Sequence, residues 1–387
     1  MNIDKKKIIR ITTVPGSLTT LLKGQLSYVS KHFEVVGITS KSGSLKQLEE
    51  FTKNEGVKAI TVNMTRKITP IKDLIALFKL YKILKKEKPF IVHSHTPKAG
   101  TLGMIAAKMA RVPNRLHTVA GLPLVESTGI KKKVLITVER ITYRCATKVY
   151  PNSFGLKDII LDEKITKKEK IKIIANGSSN GIDTNHFDPN LYNNKQKHTL
   201  KNELKIKEND FVFVFVGRLV KDKGINELIE AFDKLSTEFK NIKLLLIGGV
   251  EKDLDPLLPE TTNTIDINPN IIATGWAADV RPYFAISNVL AFPSYREGFP
   301  NVVMQASSME LASIVTDING CNEIIKHEEH GFIIPKKDID SLYQAMVYAL
   351  SNKEILKKMG VESRQNVINN YEQKNVWQAI LEEYKSL

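Results

Sequence analysis

Cysteine is almost missing from this chain: Cys145 and Cys321 are the two among 387 residues, far apart and outside any CxxC or Cys/His cluster. That excludes a disulfide framework and a zinc site of ordinary ligand spacing, and it suits packed thiols in a reducing cytosol. Long uncharged apolar runs are lacking as well, since nothing approaches the ~20 residues that a spanning helix needs. The N-terminal MNIDKKKIIRITTV runs from a lysine cluster straight into a strand-like segment without the apolar core of a secretion signal. The expectation is a cytoplasmic protein without a membrane span, with peripheral association at the inner face of the cell membrane left open. A GxGxxG fingerprint is absent too: Gly16 stands alone in the first strand-to-helix turn, which argues against a dinucleotide site there. No repeat of solenoid period occurs.

Acidic residues are in deficit. Lysine and arginine number 57 against 42 aspartates and glutamates, a net charge of +15, which points to anionic partners: nucleic acid, a membrane with acidic lipids, or phosphorylated substrates. The lysines are spread through both halves, and neither a stacked-aromatic RNA motif nor a helix-turn-helix signature accompanies them, so a basic nucleic-acid-binding protein is the weaker reading and no nucleic-acid partner is expected. With 42% hydrophobic residues over this length, two domains are expected rather than one core, which stops growing near ~250–300 residues.

The order of elements reads as α/β. Ile8–Val14 is a β-branched run, then Pro15, Gly16 and Ser17 turn into a helical pattern over Leu18–His32, and Phe33–Thr39 supplies the next strand, so the sheet should be parallel and doubly wound. Between Ile71 and Leu84 apolar residues recur at helical spacing with Lys72, Lys79, Lys82, Lys85 and Lys86 interleaved, as in either a core-packed helix with a solvated lysine face or a membrane-docking one. Phe90–His93 is a strand leading into HSHTPKAG, Leu116–Val119 another, and Lys148–Pro151 and Ile171–Ala175 two more. His93, His95, His117 and Lys98 gather at strand ends, where open α/β sheets bind ligands, although hydrogen-bonded structural roles suit each histidine alone and no metal spacing joins them. The polar tract 191–209 reads as a linker between domains of 1–190 and 210–370.

The second half begins at Phe211–Val216, FVFVFV, a run that suits a strand buried on both faces. It leads into GRLVKDKGI, where Arg218 and Lys223 lie five apart before a helix. They are either salt-bridged surface cations or donors aimed at a diphosphate. Asp253 and Asp255 spell DxD but follow a loop in an acidic stretch; the match is read as chance, and no metal or cofactor is expected. The stretch AFPSYREGFPNVVMQA, residues 291–306, then runs from a buried strand through a turn holding Glu297 into a helix near Asn301. Such a helix start can seat an anion or a polyhydroxyl ligand, or be an ordinary βα connection.

Taken in order, HSHTPKAG, NGIDTNHFDP, VGRLVKDKGI, TGW and PSYREGFPNVVMQASSMELASIVTDINGCNEII resemble a family 4 glycosyltransferase of GT-B fold, over essentially the whole chain. The resemblance implies two Rossmann-like doubly wound domains facing a central cleft. The N-terminal one takes the acceptor and the C-terminal one the nucleotide sugar, and residues 371–387 form a helix that crosses back to the first domain. It implies retaining, metal-independent transfer from a donor such as a UDP-sugar to a lipid-linked or polysaccharide acceptor in cell-surface glycan (capsule) synthesis. Arg218 and Lys223 match the diphosphate-binding pair, and Glu297 the acid that binds donor-sugar hydroxyls. Gly298, Phe299, Pro300, Asn301, Val302 and Val303 match the loop and helix start around sugar and phosphate, with Gly217 beside the pair and Gly275 and Trp276 near the base. Gly16, His95, Lys98 and His117 are candidates for the acceptor side. Two departures stand out. Gln305 replaces the second motif acid, and can still bond a ribose hydroxyl; Ala120 precedes Gly121 where many members carry histidine. An epimerase acting on UDP-sugars shares the fold and stays open as an alternative.

Overall fold

The computed structural model describes residues 5–41, 45–65, 69–251 and 255–387 and divides them into two units, one running to Gly181 and resumed at Gln373–Leu387, the other Ile182–Glu372. The first unit alternates β1 (Lys7–Ile11), α1 (Gln25–Ser30), β2 (Glu34–Thr39), α2 (Leu45–Glu55), β3 (Lys58–Thr61), α3 (Pro70–Glu87), β4 (Ile91–His95), α4 (Pro97–Met109), β5 (Asn114–Val119), α5 (Gly129–Cys145), β6 (Lys148–Pro151) and α6 (Phe154–Asp162). Its six strands are all parallel in the order β3-β2-β1-β4-β5-β6. Apolar side chains alternate along β1: Ile9 and Ile11 join Leu80, Leu84, Ala106 and Tyr143 on the face covered by α3, α4 and α5, while Ile8 joins Leu26 and Val29 on the other. Both faces are thus buried, as a parallel sheet requires.

The second unit holds α7 (Asn194–Glu203), β7 (Phe211–Val216), α8 (Ile225–Glu238), β8 (Ile242–Ile247), α9 (Pro259–Ile267), β9 (Ile271–Gly275), α10 (Arg281–Ala285), β10 (Val289–Phe292), α11 (Asn301–Ser308), β11 (Ala312–Thr316), α12 (Cys321–Ile324), β12 (Gly331–Ile334), α13 (Ile339–Ser351) and α14 (Lys353–Tyr371). Its parallel order, β12-β11-β10-β7-β8-β9, repeats the first unit's winding. In each sheet the order reverses between the first and fourth strands, β1/β4 and β7/β10, and the crevice at that switch point is where doubly wound sheets bind ligands. The last helix, α15 (Gln373–Lys385), belongs to the first unit, where Val376, Ile380, Leu381 and Tyr384 enter its core.

Several local readings change. The tract 191–209, expected as a linker, lies within the second unit and folds as α7, because Asn193 and Gln196 bond each other's backbone N–H in a capping box that composition alone hides. Ile171–Ala175 forms only a single bridge, Val149 to Ile171, rather than a strand. The helical pattern 18–32 is broken at Gly24, whose φ of 80° and close approach to Trp377 leave no room for a side chain. β4 continues through His95, so both its histidines are inside the sheet. On α3 the pattern conceals a split: Ala76, Leu80 and Leu84 face the core, whereas Ile71, Leu74, Ile75 and Phe78 are exposed.

Candidate active site

In the second unit the two loops at the switch point carry the candidate residues. After β7 the backbone passes Gly217 and Arg218, makes a short 3-10 turn at Lys221–Lys223, and enters α8 through Gly224, whose φ of 70° and distance of 2.0 Å from a would-be Cβ to the Pro293 carbonyl oxygen press this loop against the one after β10. That close approach brings Lys223 to Glu297: the ammonium pairs with Glu297 Oε1, which also accepts from Ser294 Oγ at 2.9 Å. Both side chains are largely shielded, 16% and 14% exposed, so water weakens the pair little. Arg218 is more open, 48% exposed, and its Nη1 pairs with Glu251. Arg296 Nη2 donates to Asp222 Oδ2 at 2.7 Å and so fastens the two loops again.

The Glu297 turn is held from beneath by residues that motif reading passed over. Asn319, after β11, donates from Nδ2 to the Glu297 carbonyl and to that of Gly298 at 3.3 Å. Its neighbour Gly320, φ 79°, lies so close that a Cβ would stand 2.5 Å from the Gly298 carbonyl oxygen and 2.9 Å from Phe299 Cα. The Asn-Gly pair following a strand was the available signal. Phe299 is buried against the Tyr371 ring, 5.2 Å between centroids. Pro300 caps α11 without a side-chain acceptor, so the cap supplies no side-chain partner to the first amides, those of Asn301 and Val302, while Val303 is buried. Gln305, one turn on, is half-buried and makes no side-chain hydrogen bond among the described residues. Gly275, φ 72°, ends β9 with nothing within 4 Å of a would-be Cβ, and Trp276 beside it is 79% exposed. The loops from β7, β9 and β10 thus present two cations, a carboxylate, open helix amides and a bare indole, a set suited to a diphosphate, a polyhydroxyl group and a base.

The first unit distributes its candidates differently. Gly16 has helical backbone at the N-cap of the short helical segment Ser17–Leu21 after β1, with no atom within 4 Å of a would-be Cβ. Lys98, at the start of α4, is ion-paired with Asp73. His95 and His117 are 1% and 2% exposed and point into the unit. Arg10, buried, donates from Nη2 to Gln25 Oε1 at 2.7 Å and to His95 Nε2 at 2.6 Å, and from Nη1 to Tyr384 Oη at 2.6 Å. Since guanidinium only donates, His95 accepts at Nε2 and carries its proton on Nδ1, which faces no partner among the described residues. His93 lies between the Tyr384 and Thr118 hydroxyls at 2.6 and 2.7 Å, and His117 bonds Ser94 at 2.9 Å. Burial, with the Arg10 charge beside them, holds His93 and His95 well below the ordinary imidazole value, and burial brings His117 to about 4. These histidines are neutral interior groups: His93 directly and His95 through Arg10 tie α15 to the sheet, whereas His117 packs beneath α4 beside Gly100 and Tyr143. At the switch point itself stand Thr13 and Thr96, their hydroxyls 2.7 Å apart, with Thr96 at φ 72°. Ala120, where a histidine was expected, is half-buried after β5.

Among the described residues no three His, Cys, Asp or Glu side chains gather as a metal set. Asp253 lies outside the described residues; Asp255 accepts the Asp222 amide at 2.6 Å. No helix described is long and apolar enough to cross a membrane.

Comparison with known proteins identifies the family and the fold. The model of the family "Glycosyl transferases group 1" matches residues 196–371, and that of "Glycosyl transferase 4-like" residues 16–153. The capsular polysaccharide biosynthesis glycosyltransferase CapM of Staphylococcus aureus is 34% identical over 392 residues, covering 99% of this chain and 98% of that protein. An Escherichia coli UDP-Gal:alpha-D-GlcNAc-diphosphoundecaprenol alpha-1,3-galactosyltransferase is 33% identical over 88% of this chain and 86% of its own. In fold, Anabaena HepE in complex with UDP and glucose matches with a TM-score of 0.83 at 18% identity, over 99% of this chain and 100% of that one. A glycosyltransferase from Rickettsia africae matches with a TM-score of 0.78 at 21% identity, over 99% and 98%. The chain belongs to the group 1 glycosyl transferases and is a glycosyltransferase of GT-B fold.

Proposed function

We propose that this glycosyltransferase moves a hexosyl or N-acetylhexosaminyl group from a UDP-linked donor to a lipid-linked saccharide at the membrane surface, as a step in capsular or related polysaccharide synthesis, with retention at the anomeric carbon and without a metal ion. The observation that carries the reading is the meeting of Lys223, in the loop after β7, with Glu297 after β10 at one switch point, with Arg218 in the same β7 loop. CapM and the diphosphoundecaprenol galactosyltransferase, similar along nearly the full chain, support the acceptor class.

In this account the donor diphosphate exchanges with the carboxylates now paired to Lys223 and Arg218, and its oxygens meet the open amides of α11. Glu297, released from the lysine, accepts from sugar hydroxyls and fixes the ring. As the acceptor oxygen bonds to the anomeric carbon, the bond from that carbon to the phosphate oxygen breaks. The departing diphosphate gains charge against two cations already in place and takes up the acceptor proton, so positioning and charge stabilisation do most of the catalysis. Gln305 bonds a ribose hydroxyl, and Trp276 covers the base. Gly16, Lys98 and the Thr13/Thr96 pair form the acceptor side; His95 and His117 support it from inside.

The test is incubation with UDP-hexoses and an undecaprenyl-diphosphate saccharide, with and without EDTA. Transfer that survives EDTA and gives a product of unchanged anomeric configuration by NMR is expected. An isomerised UDP-sugar formed without acceptor would replace the reading by an epimerase.

A further inference from the structure

The three helices α3, α4 and α5 form one layer over one face of the first sheet, with α4 packed between the other two. Together they carry twelve lysines and arginines against three acids, in a chain whose whole excess is +15. None of the three acids is free to offset that charge outward: Asp73 pairs with Lys98, Glu87 with Lys7, and Glu139 is 7% exposed. Lys72, Lys79, Lys82, Lys85 and Lys86 on α3 and Lys131 and Lys133 on α5 are exposed.

The same outer surface is apolar where it ought to be polar. Ile71, Leu74, Ile75 and Phe78 follow the i, i+3, i+4, i+7 spacing of one stripe over the first turns of α3 and are 78%, 54%, 52% and 49% exposed. On α5, Ile130 is 82% exposed and Val134 49%, on either side of the lysine triplet. The helix α3 therefore has two apolar faces, one in the core and one outside, and the outer one continues into lysines. Single exposed apolar residues are ordinary, but a stripe of four with a second cluster on a flanking helix is not.

We propose that the outer face of α3 and α5 docks on an anionic lipid surface, the aliphatic and aromatic side chains entering the headgroup boundary and the lysines meeting lipid phosphates. Charge complementarity selects this occupant: a second copy of the chain would set this dense positive field against its own like, whereas acidic lipid answers both the charge and the apolar stripe. The inference rests on the lipid-linked acceptor reading for its purpose and gives that reading a definite face by which the enzyme reaches its substrate.

Flotation of the full chain with vesicles of phosphatidylglycerol and phosphatidylcholine, against phosphatidylcholine alone, tests it, with UDP binding in vesicle-free solution measured on the same preparations. Wild type should float with the anionic vesicles only. Ile75→Glu/Phe78→Glu, which removes apolar area from the headgroup boundary, and, separately, Lys131→Glu/Lys133→Glu, at ~1 kcal/mol per basic residue near such a surface, should each bind them at least ~10-fold more weakly, while keeping wild-type UDP affinity and circular dichroism. Equal flotation with both vesicles, or variants that float as wild type does, would overturn the proposal. So would concentration-dependent dimerisation in sedimentation that Ile75→Glu/Phe78→Glu abolishes while vesicles are ignored. A chain that floats but binds no UDP leaves the docking face standing and removes the donor assignment instead.

Discussion

Replacing Lys223 by alanine and Glu297 by alanine should separate two losses that one motif match would lump together. The two side chains neutralise each other in the free protein, both mostly shielded, with Ser294 Oγ as Glu297's second partner at 2.9 Å. Either substitution strands one partner, so each should lower folding stability by about 1–3 kcal/mol, the usual cost of a charged group deprived of a buried hydrogen bond. On ligand binding the two diverge. Lys223→Ala removes a cation aimed at the leaving diphosphate, and loss of one such preorganised donor costs about 2.7–4 kcal/mol in the transition state, or roughly 10²–10³ in turnover. UDP affinity should fall with it. Glu297→Ala instead frees the ammonium from its counter-ion, so UDP should bind as well as before or better, while sugar transfer falls strongly because the hydroxyl acceptor is missing. Calorimetric titration of UDP and initial rates at saturating donor measure the two quantities. Turnover of Lys223→Ala within about threefold of wild type, or equal loss of UDP affinity in both variants, would remove Lys223 and Glu297 from these roles.

Gln305→Glu should leave the donor KM within about threefold, since both side chains accept from a ribose hydroxyl and the difference is less than the ~1 kcal/mol of a neutral hydrogen bond; steady-state kinetics at varied UDP-sugar checks it. Gly320→Ala should reduce turnover well before it unfolds the protein, because the new Cβ meets the Gly298 carbonyl at 2.5 Å and pushes the Glu297 turn out of place; the thermal midpoint and kcat measured together distinguish the two effects. Acid should destabilise the chain. With His117 held at about 4 by burial, the unfolded chain takes up its proton first as pH falls from 6.5, removing up to roughly 3 kcal/mol by pH 4, and His93 and His95 act in the same direction. Glu139, which burial raises to about 7, opposes this between 4.5 and 7, since there the folded state keeps a proton that the unfolded chain releases. Glu139→Gln should therefore steepen the fall in melting temperature over that window, and an unchanged slope would contradict the assignment.

Much of this was legible because the signals are local. FVFVFV reads as a strand buried on both faces, and the loops after it and after AFPS are marked by glycine and proline, so Arg218, Lys223 and Glu297 could be placed on turns from sequence alone. What stayed hidden depends on tertiary partners. That Lys223 and Glu297 meet follows from Gly224 lying against Pro293, two loops some seventy residues apart in sequence. The interior place of His95 depends on how far β4 extends and on Arg10, itself bonded to Tyr384 from the other end of the chain, and that of His117 on Gly100 of α4 leaving room above it. The outward apolar stripe of α3 has the same periodicity as an inward one; only packing tells them apart.

A structure of the chain with a UDP-hexose bound decides whether Lys223, Arg218 and Glu297 hold the donor. The diphosphate should lie within hydrogen-bond distance of Lys223 and Arg218, and a sugar hydroxyl on Glu297, with the Lys223–Glu297 pair parted. A donor seated in the second unit with both cations still on their carboxylates, and its sugar away from Glu297, would contradict that assignment.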